Sequence, residues 1–390
     1  MTLIRPTAGA ADTSGAARRR ATRRAVAVLA LVAVAVLIPS LGPRAALTGT
    51  GEAAAPGVGG IALLRTVLFA ALCVPVGELF AARLARRVPG APPAPRSWAA
   101  PAAATGFLVA LGLASVVATG NLLPRHLADL DIGGLYRIRD GRLALLEVNA
   151  FAVAWLCARS RRPAAQVGPL ALVLLAEALR AHPAPEHDAL VGSALTLVHL
   201  TCAALWAGGL LQVLRLLRCW RAAEGAPTGA GAVEPTGQGR TATTGPTAAA
   251  AAAAAAATGP GTGLTTGPEA AGGSRGGGSR AGVALLGLYA RVAAVLFAAI
   301  TASGIWSALR RMPPGTILDQ LTSTAYGRTL LAKVILVAAV AALALRARLR
   351  LRRAKDPLGA CSPARAEVVA LGVVVAVSGL LTALPLPIRW

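Results

Sequence analysis

Acidic and aromatic residues are both scarce in this 390-residue chain. It has 16 Asp and Glu against 39 Lys and Arg, and aromatic residues make up only 4% of it. A basic excess of this size is common in nucleic-acid-binding proteins, but those proteins also carry basic stripes or patches on their binding face. No basic stripe with interleaved aromatic residues is present, so we expect no nucleic-acid partner, and the positive charge requires another explanation.

Catalytic signatures are also missing. The chain contains no Walker motif, no GxSxG, no HExxH and no phosphorylated-aspartate signature, so ATP-driven pumping and hydrolysis by a known motif are unsupported. Its five cysteines show no CxxC spacing, and none falls in a segment that we expect outside the cytoplasm, which argues against structural disulfides. We therefore expect no enzyme activity and no catalytic residues.

Long apolar blocks dominate what is present. The chain is rich in Ala, Leu and Val and has a mean hydropathy of +0.63. Its hydrophobic residues occur in runs, which is typical of membrane helices that need roughly 20 apolar residues to cross a bilayer. The sequence predicts an all-α fold, a polytopic membrane helical bundle with about nine transmembrane helices. The predicted spans are 25–41, 58–80, 99–122, 142–158, 165–181, 190–214, 282–309, 329–346 and 366–384.

The positions of the basic residues predict how these helices are oriented in the cell membrane. With the N-terminus inside and the C-terminus outside, most basic clusters lie on the cytoplasmic side, as the positive-inside rule requires. Arg310 and Arg311 are the main exception. The first helix also resembles a cleaved signal segment, and its cleavage would leave eight helices in the same orientation. The clusters on the cytoplasmic side are 18–24, 83–87, 159–162, 215–221 and 346–355.

A low-complexity segment divides the apolar blocks into two groups. Residues 222–280 are rich in Gly, Thr, Ala and Pro and include ten consecutive alanines, Ala248 to Ala257. Such a composition cannot bury enough apolar surface to order itself, so we predict a disordered cytoplasmic linker. The predicted domains are 1–57 for the cytoplasmic N-terminus and first membrane helix, 58–189 for an N-terminal four-helix repeat, and 190–387 for a second membrane domain that the linker interrupts.

The two groups of helices resemble one another in sequence. The segment YRIRDGRLALLEVNAFAVAWLCARSRR aligns with TAYGRTLLAKVILVAAVAALALRARLR, which places Gly141-Arg142 on Gly327-Arg328 and Glu147 on Lys333. LFAALCVPVGEL likewise aligns with HLTCAALWAGGL. The sequence thus predicts two four-helix repeats with one helix added. An ion pair between Glu147 and Lys333 across the repeat interface is one interpretation of these charges, and outward snorkelling of Lys333 is the other.

Only four histidines occur, and one of them, His199, lies inside a predicted helix. It is about 13 Å from the outer helix end, near the middle of a hydrocarbon core about 30 Å thick. Imidazole suits copper, zinc or iron, and Cys202 lies on the same helical face. The loop RAHPAPEHD adds His182 and His187 just before this helix, so we predict a metal path from the loop to His199. A solvated polar loop and a helix-packing histidine are the plainer interpretations.

Other residues indicate which kinds of site His199 can belong to. A di-haem cytochrome needs two pairs of axial ligands inside helices, which one intrahelical histidine does not supply. Methionine occurs only twice, which argues against a Met-lined conduit for Cu(I). Trp206 indicates a packing position or a pocket wall. The following Gly208-Gly209 indicate a close helix contact, since small residues let membrane helices approach one another.

Four segments carry a family resemblance. LTLVHLTCAALWAGGLL, YARVAAVLFAAITASGIWSAL, YGRTLLAKVILVAAVAALALRARLR and ARAEVVALGVVVAVSGLLTALPLP, in this order, resemble the copper-resistance D (CopD) membrane domain over about Leu190 to Pro387. The first half resembles the divergent N-terminal region of actinobacterial members. The resemblance implies a multi-pass membrane protein that moves copper toward the cytoplasm, often beside a secreted CopC-type copper-binding partner. It maps the family's helix histidine to His199 and its loop histidine to His182.

These observations predict copper binding and transport across the cytoplasmic membrane. Copper would bind at the His182/His187 loop, pass to His199 and be released inward. The alternative is a non-transporting membrane scaffold or assembly factor that delivers copper to an extracytoplasmic copper enzyme. A third interpretation is a small-solute transporter in which His199 only gates the path or binds a proton.

Overall fold

The computed structural model describes residues 22, 29, 33–34, 36–51, 57–119, 131–182, 188–224, 277–311, 314–353 and 372–379. The elements of these residues are helices and short turns, and no β-strand occurs among them. The predicted ligand His187, about half of the first predicted span and most of the predicted linker lie outside the described residues.

The helices follow the apolar blocks of the sequence. Six of them, α2, α3, α5, α7, α8 and α10, are long and apolar enough to cross a membrane, which confirms an all-α membrane bundle. α1 and α6 are apolar but shorter, so the count of nine spans stays a prediction. The helices are α1 (Val36–Leu47), α2 (Val58–Ala85), α3 (Ala99–Thr119), α4 (Ile132–Arg137), α5 (Arg139–Arg159), α6 (Val167–Arg180), α7 (Ala189–Glu224), α8 (Gly277–Arg311), α9 (Ile317–Ser323), α10 (Ala325–Arg353) and α11 (372–379).

Several predicted boundaries differ from the structure. The first helix runs to Leu47, past the predicted end at 41. The helices on either side of the linker also extend into the segment 222–280, since α7 ends at Glu224 and α8 begins at Gly277. Once a helix is nucleated each further residue adds a hydrogen bond at little cost, so helices continue past the apolar stretch that identifies them.

The outer surface of the bundle is apolar. Large hydrophobic side chains are exposed on several of the long helices, for example Leu108 at 64%, Val295 at 69% and Ile335 at 61%. A water-soluble protein rarely exposes so much contiguous apolar surface, whereas lipid tails solvate it well. The exposed face of the helices therefore fits a lipid bilayer.

The two halves of the chain meet along α2 and α7. Gly77 on α2 and Gly208 on α7 face each other so closely that a Cβ added to Gly77 would overlap the backbone of Gly208, and a Cβ added to Gly208 would overlap the carbonyl of Cys73. Glycine is the residue that permits such backbone contact between membrane helices. Gly77 and Gly208 also occupy equivalent positions in the predicted repeat alignment, so the crossing point supports a pseudo-symmetric arrangement of these two helices.

Replacing Gly208 with alanine is expected to destabilise the protein by about 1–3 kcal/mol, because the new methyl group forces α2 and α7 apart. Gly287→Ala on α8 is the matched control, since a Cβ there meets no atom within 4 Å. The midpoint of unfolding in an SDS titration measures both variants. Equal midpoints for Gly208→Ala and Gly287→Ala would contradict the close contact.

A second local feature recurs in both halves. The short helix α4 precedes α5, and the short helix α9 precedes α10, and in each case one extended residue separates the two helices, Ile138 with ψ 144° and Thr324 with ψ 150°. Both extended residues donate their backbone N–H to the short helix at 3.2 Å. Gly141 and Gly327 each lie three residues later, where a Cβ would overlap the backbone of the preceding short helix. This shared geometry explains why a glycine stands at both aligned positions.

Candidate functional site

A cavity of about 510 Å³ lies between the two halves of the bundle. α2 and α6 line it on the N-terminal side, and α7, α8, α10 and α11 line it on the C-terminal side. Most of its lining is apolar. Its ionisable lining residues include Arg65, Glu177, Arg180, His199 and Lys333. A repeat interface within the membrane is the usual position of a transporter's substrate site.

His199 lines this cavity from α7, roughly 15 Å along the helix from its first residue. Its Nδ1 lies 3.0 Å from Ser303 Oγ on α8, and the Ser303 hydroxyl donates its hydrogen to the Ile300 carbonyl at 3.0 Å. Because a hydroxyl has a single hydrogen, Ser303 accepts from the Nδ1–H tautomer of His199 while it donates to Ile300. In that tautomer Nε2 keeps its lone pair for a ligand.

This arrangement has the chemistry of a metal-binding histidine. An imidazole that coordinates a metal through one nitrogen normally donates its other N–H to a protein group, which fixes the ring orientation. Ser303, itself only 5% exposed, is such a group. Among the residues that the structure describes, however, no group of three or more His, Cys, Asp and Glu side chains comes together as a metal cluster.

A buried charge network forms the α2 and α6 wall. Arg180 Nη1 bonds Glu177 Oε1 at 2.9 Å and Glu147 Oε2 at 3.0 Å, and Arg65 Nη1 bonds Glu177 Oε2 at 3.3 Å. Glu147 is 1% exposed and Glu177 is 4% exposed. Carboxylates this deep are expensive unless paired, so the arginines hold them in place.

The ion pair between Glu147 and Lys333 is not observed. Glu147 pairs with Arg180 inside the N-terminal half, because Arg180 on the neighbouring helix α6 is the nearer cation. Lys333 lies on α10 and lines the cavity, and it has no hydrogen bond or ion pair with another described residue. The prediction failed because the linear sequence does not show which helices are neighbours.

The predicted ligands His182 and Cys202 have different surroundings in the structure. His182 is 4% exposed; its Nε2 lies 3.0 Å from Thr196 Oγ1, and its ring packs over Gly192. Thr196 is one helical turn before His199 and lines the cavity, so His182 is linked to the cavity rather than solvated in a loop. Cys202 packs against the apolar cluster of α7 and α8 and is not among the cavity-lining residues.

Cavity residues that the sequence did not single out include Cys73, Arg65 and Arg180. Cys73 on α2 lines the cavity and supplies a thiol on the wall formed by the N-terminal half. Arg65 and Arg180 line it too, although their positions in the sequence look like ordinary helix-end arginines. The available signal was the position of Cys73 near the middle of α2, about four turns from its first residue.

Ring contacts and hydrogen bonds connect the helices around the cavity. Trp206 is 5% exposed, packs edge-on against Phe297 with ring centroids 5.4 Å apart, and lines the cavity, as predicted for a pocket wall. Its backbone carbonyl accepts a hydrogen bond from Tyr289 at 2.7 Å. In the Tyr-Gly-Arg segment, Tyr326 lines the cavity, and Arg328 donates to the carbonyls of Thr322 and Thr48 at 2.7 and 2.8 Å.

Residues 283–383 match the family Copper resistance protein D. These residues form a CopD domain. The family's name links this domain to copper resistance. No curated protein and no solved structure matches the chain significantly.

The CopD match is narrower than the predicted resemblance. It covers about a quarter of the chain and includes most of α8, together with α9, α10 and α11, whereas the resemblance was predicted to begin near Leu190. Ser303, Tyr326 and Lys333 lie inside the matched residues, and His199 lies before them. The CopD domain therefore supplies one wall of the cavity, and α7 adds the imidazole.

Proposed function

We propose that this CopD-family chain binds copper in the cavity at His199 and carries it across the cytoplasmic membrane, with uptake from the extracytoplasmic side. The observation that carries the proposal is the orientation of His199. Its Nδ1 is held by Ser303, which leaves Nε2 as a copper ligand inside a cavity at the junction of the two halves. The CopD match over residues 283–383 supports copper as the metal.

The buried histidines suggest the direction of the path. His182 follows α6 directly and contacts Thr196 near the start of α7, and Thr196 precedes His199 by one turn on the cavity wall. Under the positive-inside orientation, with the N-terminus in the cytoplasm, this end of α7 faces outward. Arg310, which is an exception to that rule, lies beside Asp188 with Nη2 3.7 Å from Oδ2, so a local carboxylate offsets its charge.

The ligand set proposed for copper is Nε2 of His199 and the thiol of Cys73. Imidazole and thiolate are both good ligands for copper, and both residues line the cavity from facing helices. Cys202 was the cysteine predicted from the sequence, but its position against the apolar cluster favours a packing role. A two-ligand site suits transport, because a metal held by few protein groups can be released.

Cellular copper content tests this proposal. We expect cells that contain the protein to accumulate more copper than cells that lack it, and His199→Ala to remove the difference. Val198→Ala is the matched control, because Val198 is the neighbouring residue on α7 and is 48% exposed. Accumulation that is the same in all of these cells would contradict uptake and would favour a scaffold or assembly role in copper delivery, beside a secreted CopC-type protein or a copper enzyme.

A further inference from the structure

The charge of the cavity is unusual for a site that receives a cation. Three cationic side chains line it, Arg65, Arg180 and Lys333, against the single carboxylate of Glu177. Glu147 lies behind this wall and bonds Arg180, so even with its charge included the cavity keeps a net positive charge. A bare copper ion that approaches His199 would meet that excess in a medium that screens charge poorly.

Lys333 is the source of the uncompensated charge. The two arginines share Glu177, and Arg180 also has Glu147. Lys333 lines the same cavity from α10 and makes no hydrogen bond or ion pair within the described part of the chain. A buried ammonium without a partner is costly in a membrane, which makes it a candidate for pairing with a ligand.

Arg65 adds a second group that can pair with an anion. Only its Nη1 is used, on Glu177, and Nη2 has no partner among the described residues, while 19% of the side chain is exposed. A guanidinium with free N–H groups matches the planar geometry of a carboxylate. The cavity therefore offers two positive groups, on α2 and α10, in addition to the imidazole of α7.

The size of the cavity agrees with a ligand larger than a single ion. Sites for small organic molecules typically have volumes of about 300–1,000 Å³, and this cavity, at about 510 Å³, falls in that range. We propose that the cavity takes copper as a complex with a small carboxylate, in which His199 binds the metal and Lys333 and Arg65 bind the carboxylate. This inference rests on the proposed copper function and names the form in which the metal enters.

Equilibrium dialysis of the purified full-length protein tests the inference, with radioactive copper and carbon-labelled citrate as probes. We expect the wild type to retain both labels, and to retain little citrate when copper is absent. Lys333→Gln is expected to weaken citrate retention about 10-fold or more, as loss of a hydrogen bond to a charged group does. Lys333→Arg should retain citrate, and Lys355→Gln, at the chain's other lysine, is the control.

The possible outcomes separate the inference from the function on which it rests. Copper bound equally well with citrate, with chloride alone or with neither, and without retained citrate, would overturn the inference and leave the copper function standing. Citrate retained equally with and without copper would overturn it as well, because the cavity would then be a plain anion site. Failure to bind copper under every condition would instead contradict the proposed function itself.

Discussion

Replacing Arg180 with methionine is expected to destabilise the folded protein by about 3–5 kcal/mol, the usual result of removing one partner from a buried ion pair. Arg180 bonds both Glu147 and Glu177, at 3.0 and 2.9 Å. Methionine fills similar space but cannot donate a hydrogen bond, so Glu147 is left buried and unpaired. An SDS titration followed by circular dichroism measures the loss, with Arg142→Met as the control at an exposed arginine of α5.

A second substitution distinguishes this cause from a general packing defect. Glu147 has Arg180 as its only ion-pair partner in the described residues, whereas Glu177 also bonds Arg65. Adding Glu147→Gln to Arg180→Met removes the unpaired charge, and we expect it to recover most of the lost stability. If the double variant is less stable than Arg180→Met alone, the destabilisation does not come from an uncompensated carboxylate.

Replacing His199 with alanine is expected to lower the copper affinity of the purified protein by more than about 100-fold. Loss of a hydrogen-bond partner of a ligating histidine already costs about 10–100-fold, so loss of the proposed ligand itself costs more. Ser303→Ala removes that partner, at 3.0 Å from Nδ1. We expect this variant to lower the copper affinity by about 10–100-fold. Competition against a copper chelator of known affinity measures both variants.

The two cysteines of α2 and α7 give this experiment a matched comparison. Cys73→Ala is expected to weaken copper binding, because Cys73 lines the cavity, whereas Cys202→Ala is expected to leave it unchanged, because Cys202 packs against the apolar cluster. If Cys202→Ala weakens copper binding and Cys73→Ala does not, the ligand is Cys202, as the sequence predicted. Equal affinity in His199→Ala and the wild type would contradict the proposed role of His199 as a copper ligand.

Several features of the site could be predicted from single residues of the sequence. A histidine inside an apolar helix is conspicuous because intramembrane ionisable groups are rare, and His199 does line the cavity. Trp206 and the two glycines after it were correctly interpreted as a wall and a close helix contact. The choice of Cys202 over Cys73 rested on helical spacing alone, and spacing shows which residues share a face without showing what that face contacts.

The buried charge pairs show more clearly which features the sequence predicted and which it did not. Glu147 and Lys333 were each identified from the sequence as charges inside helices, but their partners were not. The alignment of the repeats suggested a pair across the interface, whereas Glu147 bonds Arg180 on the adjacent helix of its own half. Pairing depends on which helices pack together and on the direction of each side chain, and neither can be read directly from the order of residues along the chain.

The sequence by itself determined the class of the protein, because the length and composition of apolar runs are set by the thickness and polarity of the bilayer. It also determined the family resemblance and the single intrahelical imidazole. Only the tertiary structure determined where the cavity lies and which residues line it. Its walls come from helices of both halves, brought together by backbone contact at Gly77 and Gly208, and that contact places Cys73, Arg65 and Lys333 around the same space as His199. A site assembled from distant segments exists only once the helices have packed, since each side chain contributes a ligand or a charge and packing alone sets their geometry.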